Sequence, residues 1–250
     1  MSGDTTTGTE PGTGTGTGTG TETEAGRYLA ATRYVDSDAP EVAAFVARAL
    51  AGLGPDADAT ARAVALFEAV RDGLRYDPYT VSGDPAAYRA SAVAGTTSAF
   101  CVPKAILLAA GLRAAGIPAA LGFADVRNHL NTPRLSALMG TDLFVYHGYV
   151  QLWLEGRSFK VTPAFNRALC DRFGVRPLAF DGTADALFHE YDTADRRHME
   201  YVRDRGLFVD FPAEEMLACF RETYPRLMAL AGAEAGKGAA GPDDSFASRG

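Results

Sequence analysis

The chain has 250 residues and a formal charge of −7. Asp4, Glu10, Glu22 and Glu24 place −4 of that charge in residues 1–26, and residues 231–250 carry −1, which leaves −2 for the stretch between them. So small a charge excludes strong steering of a charged partner, and nucleic acid is not expected as a ligand.

Residues 1–26 are Gly/Thr repeats with almost no apolar side chain, and 231–250 are rich in Ala and Gly. Neither segment can bury enough surface to offset its ordering entropy, so both are expected to be disordered tails flanking one folded unit over 27–230. No apolar run reaches membrane-spanning length, and no basic-then-apolar leader opens the chain. A cytoplasmic location without a membrane partner is therefore expected. Cys101, Cys170 and Cys219 are widely spaced and odd in number, which suits neither a disulfide framework nor a zinc site. No histidine pair has metal-ligand spacing and no acidic loop has the calcium-binding pattern, so no metal and no cofactor is expected.

Residues 40–51 (PEVAAFVARALA) read as a helix opened by Pro40, and 56–74 as a second, with Val64, Phe67, Ala69 and Val70 on its apolar stripe. RYDPYTVSGDPAAYRAS has two Asp-Pro steps and reads as a loop with a short helical turn. A nearly all-apolar run follows. Pro103 suits a first helical position, which sets Cys101 at the mouth of a helix. From Ala105 to Ala115 only Arg113 is charged, so this helix should be buried on most faces, ending at Gly116 and Pro118. Gly111 inside it costs about 1 kcal/mol of helix propensity, and a close neighbouring element would explain its presence.

PAALGFADV reads as a strand, followed by a polar loop with a short helical turn. LFVYHGYVQLWLEGRSFKVTPAF then reads as two strands joined at Glu155-Gly156. A two-residue turn pairs Leu154 with Arg157, Leu152 with Phe159 and Val150 with Val161. His147, Tyr149, Gln151 and Trp153 then alternate onto the other face, opposite Ser158, Lys160 and Thr162. Beyond Asn166 the reading is of short helical pieces and loops, with a last helix from Ala213 to about Ala229 interrupted near Pro225.

A thiol at a helix mouth meets unpaired N–H groups and a partial positive charge, and an imidazolium lowers its pKa further. Cys101 and His147 are thus the candidate nucleophile and general base. Thr162 is diagonal to His147 in the hairpin register, within side-chain reach of the ring.

These blocks, GTTSAFCVPKAILLAAGLRAAGIPAALGFADV and YHGYVQLWLEGRSFKVTPAF, resemble the transglutaminase-like family of cysteine enzymes. The matching features are Cys101 opening a long helix, the run Arg113-Ala114-Ala115-Gly116-Ile117-Pro118-Ala119 ending it, and His147-Gly148-Tyr149 on a strand. The resemblance spans about residues 60–170. It implies an α+β, papain-like transglutaminase core, with the Cys-bearing central helix packed on an antiparallel sheet, as a transglutaminase-like domain over 27–230. It also implies acyl transfer or hydrolysis at a peptide or isopeptide bond through a Cys thioester, with a peptide, a protein or a small amide as substrate.

The sequence departs from that family where Thr162-Pro163 stands in place of Asp-Pro, and where Ser158 replaces an aromatic. A threonine hydroxyl can orient an imidazole but supplies no charge to the imidazolium. Thr162 is the first candidate for the third member and Asn166 the second, since amide side chains fill this role beside cysteine nucleophiles; Asp171 and Asp181 are further options. Tyr149, Gln151 and Trp153 share the His147 face and are candidates for a substrate cleft, or for plain packing. A catalytically degenerate binding module on the same fold is the alternative function. Cys170 and Cys219 read as core thiols. His129 reads as a loop residue, or one lining the cleft. His189, His198, Arg196, Arg197, Arg203 and Arg205 read as a solvated charged face.

Overall fold

The structure is a computed structural model that describes residues 26–128, 131–187 and 199–234. Helix α1 spans Pro40–Leu50 and α2 Ala59–Gly73. The Asp58 carboxylate accepts the Ala61 N–H at 2.7 Å and caps α2, satisfying one of its orphan donors. A two-residue strand β1 (Arg75–Tyr76) pairs in parallel with β2 (Ser98–Ala99). Between them run two single-turn 3-10 segments, Pro78–Thr80 and Pro85–Tyr88, each capped by the Asp of its Asp-Pro step, and the short helix α3 (Ala90–Val93).

Helix α4 (Cys101–Ala114) is the centre of the molecule, and every residue from Cys101 to Arg113 is buried. It packs on α1, α2 and α3 on one side and on the sheet on the other. Ile106, Leu107 and Leu108 are wholly removed from solvent, each contributing about 1.5–3 kcal/mol of apolar burial. The helix begins two residues before Pro103, with Phe100 as N-cap and Cys101 as its first residue. Proline is still tolerated there because the first turn has no acceptors for its N–H. Gly111 is the close-contact site anticipated, since a Cβ there would stand 3.4 Å from Leu66 and Phe45. Gly116, at φ +76°, ends the helix with paired bonds from Gly116 N–H to Arg113 O and from Ile117 N–H to Leu112 O, both 2.9 Å.

Two buried cations tie α4 in place. Arg113 donates to Ala119 O, Ala30 O and Val209 O at 2.9, 2.8 and 2.7 Å, and so joins the end of α4 to three separate segments. Lys104 donates to Arg71 O and Leu74 O at 2.9 and 2.7 Å, capping the carbonyl end of α2.

The sheet has the order β5-β4-β3-β6, from β3 (Ala119–Asn128), β4 (Leu143–Leu154), β5 (Arg157–Val161) and β6 (Met199–Phe208), all antiparallel. The hairpin register is the one read from the sequence: Leu154 with Arg157, Leu152 with Phe159, Val150 with Val161. Its turn has positive φ at Glu155 (49°) and Gly156 (78°), the left-handed pair a two-residue hairpin turn requires. Helix α5 (Pro133–Met139) lies in the β3–β4 connection with Thr132 as its cap, and α6 (Arg167–Phe173) follows β5. Helices α7 (Ala213–Thr223) and α8 (Pro225–Glu234) break at Pro225 as expected, with α8 running past Ala229.

Strand β6 departs from the expectation of loops and short helices beyond Asn166. Its exposed alternation of charged and aromatic residues carries little apolar signal, and it is an edge strand held by main-chain bonds to β3. Arg205 on it is not part of a solvated face. It pairs with Asp125 through Nε–Oδ1 (2.6 Å) and Nη2–Oδ2 (2.9 Å). His129, His189, Arg196, Arg197 and His198 lie outside the described residues. Among the described residues, no helix is long and apolar enough to cross a membrane.

Candidate active site

Cys101 and His147 border one small cavity at the mouth of α4. Phe100 and Cys101 form its floor, and Phe144, Val145 and His147 of β4 one wall. Tyr76, Pro78 and Val81 border a second side, and Leu135 and Met139 of α5, Phe220 of α7, Leu227 of α8 and Tyr224 between those two helices complete the lining.

What brings β4 so close to α4 is Gly148. A Cβ on it would meet Val102 Cα at 3.0 Å, Cys101 O at 3.2 Å and Ala105 Cβ at 3.3 Å. Only a residue without a side chain lets the strand approach the helix mouth.

Just before His147 the strand is irregular. Phe144 pairs with Val126 and His147 with Ala124, so β4 carries one residue more than β3 over this interval. Within that bulge Tyr146 adopts φ 55°, a left-handed conformation unusual for an aromatic residue. The Asp125 carboxylate holds it, accepting the Tyr146 N–H at 3.1 Å. Arg205 completes the clamp, bonded to Asp125 and stacked 4.0 Å from the centre of the Tyr146 ring. Phe144 and Val145 before Tyr146, and His147 after it, all border the cavity. The sequence reading missed Asp125. The available signal was a carboxylate within the apolar run 119–126.

Burial governs the electrostatics. Cys101 is 6% exposed, and desolvation pushes its thiol up to about 11. The N–H groups of Gly148, Val102 and Cys101 and the Lys104 charge pull the other way without cancelling it. The shift is opposite to the depressed thiol expected at the helix mouth: the partial charge of the helix end is present, but burial of the sulfur removes the water that would solvate a thiolate. One turn further on, burial lowers Lys104 to about 7.

The remaining expected site residues fall into three groups. Thr162 is buried beside the hairpin, with its N–H donating to Ala186 O at 2.8 Å. Its hydroxyl has no hydrogen-bond partner among the described residues, and so no bond to His147. The Asn166 Oδ1 accepts the Tyr76 N–H at 3.0 Å, which ties that side chain to β1. The Asp181 carboxylate is satisfied by Thr183, and neither Asp171 nor Asp181 borders the cavity.

Tyr149, Gln151 and Trp153 do not line the cavity either. Tyr149 packs instead within the sheet. Its ring covers Gly122, where a Cβ would stand 2.1 Å away, and Lys160 Nζ lies 5.4 Å from its centre. Trp153 stacks on Tyr28 at 5.1 Å with the planes 9° apart. Cys170 is buried and Cys219 half-buried, both as free thiols outside the cavity. No cluster of metal-ligating side chains occurs among the described residues.

No curated protein matches the sequence. A crystal structure from Cytophaga hutchinsonii, provisionally described as a cysteine protease, shares 15% identity at a TM-score of 0.40. The match covers 74% of this chain and 54% of that one, so this chain spans about half the length of the solved chain. The mixed architecture, with a Cys-bearing helix packed against β3 and β4, agrees with a papain-like transglutaminase core. Over residues 45–163, the stretch that holds α4, the bulge and both strands of the hairpin, the chain carries a domain matched by the model of the transglutaminase-like superfamily.

Proposed function

We propose that the protein is a cysteine-dependent hydrolase or acyltransferase acting at an amide bond. The observation that supports this reading is the shared cavity of Cys101 and His147 at a helix mouth. With the resting thiol neutral, His147 takes the Cys101 proton as the sulfur attacks the substrate carbonyl. The S–C bond forms as the carbonyl oxygen takes negative charge, which main-chain N–H groups at the start of α4 stabilise in this reading. The tetrahedral carbon then expels the amine, which leaves with the proton from His147. Water, or a second amine, attacks the thioester and regenerates the thiol. Thr162 and Asn166 remain the third-member candidates, and neither carries a bond to His147 on which to rest that role.

The test is an acylation assay with peptide amides and activated esters on the wild type, Cys101→Ala and His147→Ala. A thioester on Cys101, with turnover lost by more than about 10³ in either variant, is expected. Turnover equal in Cys101→Ala and wild type would overturn the proposal.

The alternative, a binding module without turnover, is favoured by Thr162 standing where the family carries an acid. Under that reading Cys101→Ala retains ligand binding, and no acyl-enzyme forms with any substrate.

A further inference from the structure

The chemistry of the cavity walls bears on what the site accepts. Besides Cys101 and His147, the boundary is almost wholly carbon, and no Lys, Arg, Asp or Glu borders it. The one phenol on the α7–α8 side is already committed: Tyr224 OH accepts the Val145 N–H at 2.6 Å and donates to Leu143 O at 2.9 Å. A charged or amide-bearing group entering here would lose its water and find no residue on the α5, α7 and α8 side to replace it. An apolar group would instead gain contact with Leu135, Met139, Phe220 and Leu227, all of them nearly fully buried. The space reachable by the centre of a water molecule is ≈ 30 Å³, room for about two waters, or a chain of two to four carbons.

Building on the proposed acyl chemistry, we infer that the cavity beside Cys101 is an acyl pocket for a short, uncharged, apolar group, with Met139 setting its depth. The group's carbonyl sits at the Cys101 sulfur and its carbon chain runs under α5 and α8. Met139 is the last residue of α5, unbranched and 4% exposed, and α5 packs on α8. Rejection of charged acyl groups comes from a lining without a Lys, Arg, Asp or Glu side chain and with only His147 and the Tyr76 and Tyr224 phenols as polar groups beside Cys101. Rejection of long ones comes from the small volume between Cys101 and Met139.

The test uses p-nitrophenyl acetate, butyrate, hexanoate and hemiglutarate, with Cys101→Ala as the blank. Cys101-dependent kcat/KM is expected to rise about fourfold per methylene from acetate to butyrate, then fall at hexanoate. Hemiglutarate should be slower than butyrate by more than about tenfold. Met139→Ala should move the optimum towards hexanoate. The ester series on the wild type decides the matter by itself if that variant does not fold. Cys101-dependent turnover that is flat with chain length, or equal for hemiglutarate, would overturn the pocket and leave the acyl chemistry standing. Release that is the same in Cys101→Ala for every ester would overturn both.

Discussion

The Asp125 carboxylate lies on β3 and accepts the N–H of Tyr146, the residue before His147 on β4. A buried acid therefore acts next to the imidazole-bearing residue through the backbone, where the family resemblance had suggested an acid following the next strand. Tyr146 at φ 55° is held on both sides, by the bond to Asp125 and by Arg205 over its ring.

Asp125→Asn removes the charge while keeping an acceptor oxygen. The Arg205 side chain is only 15% exposed, so breaking the pair leaves a largely buried cation without its partner. A loss of about 3 kcal/mol is expected in urea unfolding. Acylation of Cys101 should slow in the protein that remains folded, because the bulge that places His147 is no longer clamped. Unchanged stability and unchanged acylation together would show that Asp125 holds nothing.

Lys104 gives a pH signature. Its folded value is lowered to about 7, so between that pH and its ordinary value of 10.5 the unfolded chain binds more protons than the folded one. Stability therefore rises with pH across this window, by about 1–2 kcal/mol from pH 6.5 to 8.5. The charged groups it faces, Asp72 and Arg71, titrate far from this range, and the facing thiols Cys101 and Cys170 are raised to about 11. Denaturant curves of the wild type and Lys104→Met at the two pH values should differ by this step. An identical pH response in both would refute the assignment.

Alkylation should find Cys101 slow. With the thiol raised to about 11, iodoacetamide at pH 8 should label it about two orders of magnitude more slowly than a free cysteine. Peptide mapping distinguishes it from Cys170 and Cys219. Labelling should accelerate as pH climbs towards 11. Over the same range the thiol's contribution to stability is lost, because the folded state holds a proton the unfolded state has released. Fast labelling at neutral pH would mean a thiolate and a more open cavity.

Gly148→Ala forces a methyl against the backbone of α4 at 3.0 Å from Val102 Cα. The helix mouth or β4 must shift, at a cost of about 1–3 kcal/mol in thermal or urea unfolding. The rate of Cys101 acylation should fall as well, since the shift separates the two elements that bound the cavity. Gly116→Ala is the contrast: it strains a left-handed helix end, with no atom within 4 Å of the added Cβ, and should leave the acylation rate of the folded protein alone.

Trp153 is the sole tryptophan of the chain and stacks on Tyr28. Trp153→Phe should reduce stability by about 1 kcal/mol in denaturant unfolding while kcat/KM for any Cys101-dependent substrate stays within about twofold. A tenfold fall in kcat/KM would place it in the cleft after all.

The amino-acid sequence by itself determined the elements whose signals are local. Pro40, the long apolar run after Cys101, Gly116 and the Glu155-Gly156 turn each act within a few residues, so α1, α4 and the β4–β5 register were legible. Main-chain geometry repeats every two or 3.6 residues, and a buried helix or a tight hairpin advertises that period.

Tertiary structure alone decided which face of β4 meets the helix, because that hangs on one missing side chain at Gly148 and an extra residue at Tyr146. It also decided the partner of Asp125, since Arg205 lies 80 residues away on an edge strand with no apolar rhythm. The state of the Cys101 thiol was likewise beyond local reading. Its protonation depends on how completely distant helices exclude water from the cavity, and desolvation is a property of the packed whole.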